Sequence, residues 1–290
     1  MDYQEFAQVL NKHIFYGNKR EILVILASNP ERFIGLFRPS KPSTKILQHL
    51  LQSYEIRMGD AFEAIIGLVI QCQGYSLLDK NIQGENNELL RLDQHFTDGR
   101  KYYFIEQKIR DDHDSTKKRG QMQNFEKKIR ALYRDHGSNL VGIMYFIDPD
   151  FSKNKNYYQE KIQILRSEYE QVKLHLFYGK QLFEYIGIAD FWDEMLSWLK
   201  RWKEDLPEIP ETNFDANPHE SFREIKDINA RFRQKIISND KLWEESIIRT
   251  LFRTGDTIKL IQEEFSKMEG KVYRQLADDL KERLVKYYGS

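Results

Sequence analysis

A mixed α/β fold with helical extensions at both ends is what this sequence predicts, and three observations predict it. Apolar residues recur at helical spacing through roughly the first seventy positions, the pattern then shortens to strand-like runs with helices between them up to Tyr178, and helical spacing returns from Glu220 to the end.

Composition sets the frame. The chain has 290 residues, 40% of them hydrophobic, which is enough apolar material for one large domain or two modest ones. Its 45 basic residues balance 45 acidic ones, so any argument for a polyanionic partner has to rest on local charge. The one cysteine, Cys72, lies in an apolar run, which excludes an internal disulfide framework and a cysteine-based zinc cluster and points to a reducing compartment. The N-terminus lacks the basic start and apolar stretch of a signal peptide, and no apolar run is long enough for a membrane span, so a cytoplasmic location is expected.

In chain order, Ile22, Leu23, Ile25 and Leu26 cluster on one helical face, and Asn29-Pro30 starts a short helix expected to run to about Phe37. A long helical region follows from Ser43 to Gln73, ended by Gly74. The runs 75–82, 89–96, 102–110, 139–148 and 173–178 are rich in Tyr, Phe, Ile, Leu and Val and read as strands. A helix is expected over 121–135, where Met122, Phe125, Ile129, Leu132 and Tyr133 form one apolar stripe, with Gly137 as its cap. Further helices are expected over 157–171, 180–188 and 191–202. Pro207, Pro210 and Pro218 mark a linker, and roughly four helices follow, separated near Asn239, Gly255 and Gly270. The expected organisation is an N-terminal helical region over 1–53, a core over 54–204, a linker over 205–219 and a C-terminal helical subdomain over 220–290.

The informative stretch is 89–110. Asp98-Gly99 suits a two-residue hairpin turn, and with those two as the loop, paired residues sum to 197, which sets Asp93 opposite Phe104 and Arg91 opposite Glu106. One face then carries Leu90, Leu92, Phe96, Tyr103, Ile105 and Ile109, interrupted by Gln94 and Gln107; the other carries Arg91, Asp93, His95, Glu106, Lys108 and Arg110. Asp93 and Glu106 become diagonal neighbours, at a Cα separation of about 7–8 Å. Two carboxylates at that separation suit a hard divalent ion such as Mg²⁺, and a lysine beside them can hold an attacking water or stabilise charge on a phosphate. The same residues also fit a solvated outer face.

An Asp, twelve intervening residues and Glu-x-Lys, here Arg91-Leu92-Asp93 and Glu106-Gln107-Lys108, resemble the PD-(D/E)xK nuclease superfamily, with Leu92 where a proline is usual. The resemblance spans roughly residues 55–180 and is nearest to type II restriction endonucleases, so a restriction-endonuclease-like core is expected. It implies that Asp93, Glu106 and the Gln107 carbonyl bind Mg²⁺, that Lys108 positions the water, and that a glutamate on the preceding helix extends the metal shell. Glu63 is the candidate for that role, with Glu55 and Asp60 behind it. The resemblance further implies double-stranded DNA as substrate and a homodimer, with no organic cofactor and no membrane association.

Local charge agrees with a DNA substrate. Residues 100–134 carry eleven Lys or Arg against five acids, a net +6 in a neutral chain. Lys117, Lys118 and Arg119 beside Gly120 are candidates for phosphate contacts, with the glycine letting backbone approach closely, and Gln121, Gln123 and Asn124 are candidates for reading base edges. Asp111, Asp112, His113 and Asp114 are expected to form the turn and N-cap before the helix. A helix-turn-helix reading of 244–268 is weakened by the acids at 256, 263 and 264, and packing or dimerisation is the expected role there. Phosphate-loop, dinucleotide-binding, zincin and serine-elbow motifs are absent. The alternatives are a structure-specific or repair nuclease of the same fold and a non-catalytic DNA-binding protein.

Overall fold

The computed structural model describes residues 1–34, 37 and 39–289. In chain order, α1 (Tyr3–Phe15), α2 (Asn18–Ser28) and α3 (Pro42–Cys72) precede β1 (Ser76–Leu77), β2 (Asn81–Gln83), β3 (Leu89–Arg91), β4 (Gln94–Thr97) and β5 (Tyr102–Lys108). Then come α4 (Ser115–His136), β6 (Leu140–Phe146), α5 (Lys155–Glu168), β7 (Lys173–Tyr178), α6 (Gln181–Tyr185) and α7 (Ala189–Glu204). The rest is helical: α8 (Pro218–Ile225), α9 (Ala230–Ile237), α10 (Asp240–Glu244), α11 (Ile247–Leu251), α12 (Asp256–Lys267) and α13 (Lys271–Tyr288). The expected helix to Phe37 is a 3-10 turn over Pro30–Arg32, and its remainder crosses Gly35 and Leu36, outside the described residues. Among the described residues no helix is long and apolar enough to cross a membrane.

Two compact units are formed, one from residues 1–14 and 56–206, the other from 15–55 and 207–290. Residues 1–53, expected as one helical region, contribute to both units. In the second unit, Leu23, Leu26, Ile46 and Leu50 share a core with Trp243, Leu251 and Phe265. Proline content suggested a linker near 205–219, yet Phe214 is buried in that core. The next residue, Asp215, accepts the N–H groups of Thr254, Gly255 and Thr257 at the start of α12, at 2.9, 2.8 and 2.8 Å. With only five residues in α11, the stretch 244–268 lacks the two full helices of a helix-turn-helix.

The first unit is built on a five-stranded sheet of order β1-β4-β5-β6-β7. β1, β4 and β5 run antiparallel, while β5, β6 and β7 are parallel. The parallel centre explains why all seven residues of β6 are buried: such strands are covered on both faces and read as continuous apolar runs. On one face, Phe104, Met144 and Phe146 pack against Phe125, Ile129 and Leu132 of α4 and Tyr158, Ile162 and Leu165 of α5. Gly142 of β6 has no room for a side chain, since a Cβ there would sit 2.7 Å from the Phe104 ring and 2.9 Å from the Leu174 side chain. Gly142→Ala is therefore expected to cost about 1–3 kcal/mol in denaturant unfolding, as overpacking in a filled core does.

Two expected strands are broken. The run 75–82 becomes β1 and β2, and the run 89–96 becomes β3 and β4, with β2 and β3 forming their own two-stranded sheet. The hairpin register is also corrected: Gln94 pairs with Ile105 and Thr97 with Tyr102, so paired residues sum to 199. The loop has four residues because Asp98 accepts the N–H groups of both Arg100 and Lys101, at 2.9 and 2.7 Å, an arrangement a two-residue turn has no room for. A shift of two leaves every side chain of β4 and β5 on its expected face. What changes is the surroundings: the face expected to be solvated is covered by α4, and Glu106 and His95 are buried on it.

α4 begins six residues earlier than expected. The Asp114 carboxylate caps it by accepting from Thr116 and Lys117, both at 2.9 Å, which places Lys117 to Gly120 in the first helical turns. Gly120 thus lies within a helix, and the expected close approach of loop backbone to a phosphate is not available there.

His175 and His136 are held below the ordinary histidine value, in each case first by burial; Arg166, Lys173 and Lys101 add to the effect at His175, and His95 at His136. Each is harder to protonate in the folded chain than in the unfolded one, so the unfolded chain takes up protons first. Stability attributable to them is fully present above the unfolded value of 6.5 and is lost as pH falls from there towards the lower folded values. Thermal scans between about pH 7.5 and 5.5 are expected to show a falling midpoint, with a shallower fall in His175→Phe.

Candidate active site

The break between β3 and β4 makes the site. Because β4 pairs with β5 only as far as Gln94 and Ile105, the β5 edge at Gln107 is left without a strand partner on that side. Asp93, in the break, takes its place: its Oδ2 accepts the Gln107 N–H at 2.7 Å. On the other edge β5 stays paired with β6 through Lys108, which fixes Glu106, Gln107 and Lys108 in place.

The Lys108 ammonium stands where three oxygens converge. Its Nζ lies 2.7 Å from the Gln107 carbonyl oxygen, 2.8 Å from Glu106 Oε1 and 3.3 Å from Asp93 Oδ2. The other Glu106 oxygen, Oε2, accepts from Lys128 of α4. The cluster is closed on one side and open on the other: the Glu106 and Lys128 side chains are 5% and 4% exposed, those of Asp93 and Lys108 21% and 29%. Two carboxylates and two ammonium groups balance in charge.

Electrostatics separates the two acids. Asp93 is pushed above the usual carboxylate range, first by burial and then by the Glu106 charge, against the pull of Lys108 and the Gln107 N–H. Burial is also the largest influence on Glu106 and would raise it, but Lys108 and Lys128 together outweigh it and hold Glu106 below the usual range. Burial alone would lower Lys108; Glu106 and Asp93 outweigh that and raise it.

Asp93, Glu106, Gln107 and Lys108, expected together from the sequence, are brought together around the Lys108 ammonium and the Gln107 backbone. In the sequence Lys128 was counted only as part of a basic run. Its signal was its spacing: three residues after Phe125 and four before Leu132, it falls on the apolar stripe, where a lysine is buried only with a partner. Gln94 is a second such residue. Its Nε2 donates to the Glu63 backbone carbonyl at 2.6 Å and approaches Gln107 Oε1 at 3.4 Å, linking α3 to the β5 edge.

Glu63 itself points elsewhere. Its carboxylate takes Lys80 at 2.6 Å and Arg91 at 3.3 Å. Among the described residues no three His, Cys, Asp or Glu side chains are gathered so as to hold a metal, so Glu63 does not stand with Asp93 and Glu106 in one such group. Glu55 falls in the second unit, and Asp60 is an exposed residue of α3. Cys72 is free and exposed at the end of α3.

At the start of α4, Lys117 and Arg119 are exposed, while Lys118 lies over the Tyr157 ring at 4.6 Å and donates to Asn154 at 3.1 Å. Gln121 turns inward, accepting from Tyr158 at 2.5 Å and lying 3.3 Å from His113; Gln123 is exposed and Asn124 half-buried. Part of the +6 is used inside the fold, since Lys127 pairs with Glu88 and Arg130 with Glu85 and Glu126. Asp111, expected in a turn, is fully buried and accepts from Asn154 N, Asn154 Nδ2 and Tyr178 at 2.9, 3.0 and 3.0 Å, tying the end of β5 to α5 and β7.

No curated protein matches the chain significantly. Residues 76–203 match the family model of the type II restriction endonuclease HinfI. That segment contains the whole five-stranded sheet together with Asp93, Glu106, Lys108 and Lys128, so the part of the chain that carries the candidate site is the part similar to a type II restriction endonuclease.

Proposed function

We propose that the protein cleaves double-stranded DNA at a specific sequence, as a Mg²⁺-dependent homodimer in the cytoplasm, leaving 5′-phosphate ends. The observation that carries this reading is the convergence of Asp93 Oδ2, Glu106 Oε1 and the Gln107 carbonyl on one cation, the Lys108 ammonium. Three hard oxygen donors already arranged around a positive charge, two of them anionic, are a donor set that fits Mg²⁺. A bound divalent ion supplies Lewis-acid polarisation of a phosphoryl oxygen and acidifies water.

The chain's own groups do the rest. Asp93 and Glu106 hold the charge that attracts a cation, and the paired β5 strand fixes the Gln107 carbonyl beside them. Lys108, on a flexible stem at the open side, is free to leave the three oxygens and hold a water against the phosphate. Lys117, Lys118 and Arg119 meet the DNA backbone from the first turns of α4, with Asn124 nearer the bases, while Gln121, bonded to Tyr158, supports that helix end from within. Glu63 acts from behind, fixing Gln94 through its backbone and Arg91 through its carboxylate.

The test is cleavage of phage DNA in Mg²⁺, in EDTA, and in EDTA with Mg²⁺ restored. The expected result is loss and full recovery of cleavage, with ends that accept a labelled phosphate only after phosphatase treatment. Cleavage that persists in EDTA would contradict the metal dependence, and ends labelled without phosphatase would contradict the 5′-phosphate. Light scattering is expected to give twice the chain mass.

A further inference from the structure

Resting on that reading of the site, we infer that Lys128 is a positioning residue that keeps Glu106 half-neutralised throughout the reaction, weakening cation binding in exchange for a site that favours the negatively charged phosphate. Two lysines hold Glu106, and they are not equivalent. Lys108 comes from the open side, bonds all three donor oxygens and is partly exposed, so it is able to move away. Lys128 comes from α4, is almost wholly buried between Phe125 and Leu132, and donates to the Glu106 oxygen that does not take Lys108. It leaves Oε1 free for another partner, and among the described residues Glu106 is its ion-pair partner.

With Lys108 withdrawn, the site holds two carboxylates and one fixed ammonium, a net −1. Without Lys128 the same site holds −2. A cation entering the second site is bound more tightly, because a unit charge a few ångström away in a partly buried setting acts strongly. The same extra negative charge repels the phosphodiester and the charge that grows on it in the transition state. Affinity and rate therefore move in opposite directions when Lys128 is removed, which loss of packing alone does not produce.

The experiment uses the full chain. Mn²⁺ bound by DNA-free protein is counted from the loss of its free-ion EPR signal, and Mg²⁺-dependent cleavage is timed at saturating metal. Lys128→Met is expected to bind Mn²⁺ at least about tenfold more tightly and to cleave at least about tenfold more slowly. Lys128→Arg keeps the charge, so its Mn²⁺ affinity is expected to stay within about twofold of the parent even though a displaced Glu106 slows cleavage; this variant carries the test if Lys128→Met does not fold. Affinity and rate both unchanged in Lys128→Met, both lowered together with its unfolding midpoint, or a tenfold tightening in Lys128→Arg would each overturn the role of Lys128 while leaving the nuclease reading intact. A parent protein that neither binds Mn²⁺ nor cuts DNA would instead remove the nuclease reading itself.

Discussion

Glu106→Ala is expected to cost about 3–5 kcal/mol of folding stability and to abolish cleavage, because the carboxylate has a structural partner as well as a chemical role. Its loss strands Lys128, whose side chain is 4% exposed and whose ion-pair partner is Glu106. Lys108 keeps Asp93 and faces solvent, so the penalty falls chiefly on Lys128. The origin can be separated from the chemistry. Glu106→Ala combined with Lys128→Met removes the stranded charge and is expected to regain most of the stability in urea unfolding, yet none of the activity. Equal destabilisation of the single and double variants would contradict this assignment.

Asp93→Ala is expected to lower Mg²⁺-dependent cleavage at least about a thousandfold while leaving the fold in place, since one of two anionic donors at the reacting phosphate is gone. Stability responds differently here because Asp93 sits above its ordinary value, first through burial and then through Glu106. A carboxyl raised in the folded state binds its proton more readily when folded, so its ionisation costs stability as pH rises through the raised value. That cost is present at neutral pH. Asp93→Asn is accordingly expected to unfold at the parent's midpoint or above it while remaining inactive; a fall comparable to that of Glu106→Ala would show that the two acids share one role.

Much of this site was legible in the sequence because its residues are close along the chain. Glu106 and Lys108 lie two apart on β5, where strand period alone gives them one face, and Asp93 directly precedes β4, the partner of β5, so a register error of two left their grouping intact. The break at residues 92–93 was not legible. Leu89 to Phe96 alternates like one strand, and only the pairing of β2 with β3 and of β1 with β4 divides it. That break frees the Gln107 backbone, so the local conformation that matters most for the site is set by tertiary pairing. Lys128 was hidden for a related reason, because a lysine within a basic run reads as solvated until the partner beneath it is known. The expected start of α4 followed the apolar stripe, which begins at Met122, whereas the Asp114 cap lies upstream and an exposed helical glycine such as Gly120 costs only about 1 kcal/mol.

The most direct test of the site is to sequence the ends of phage DNA fragments made by the parent protein in Mg²⁺ beside Asp93→Ala and Lys108→Ala. Discrete fragments sharing one end sequence, present for the parent and lost in both variants, are the predicted result. Fragments of the same pattern from Asp93→Ala, or unrelated end sequences from the parent, would contradict the account, the first by removing the assigned site and the second by removing sequence specificity.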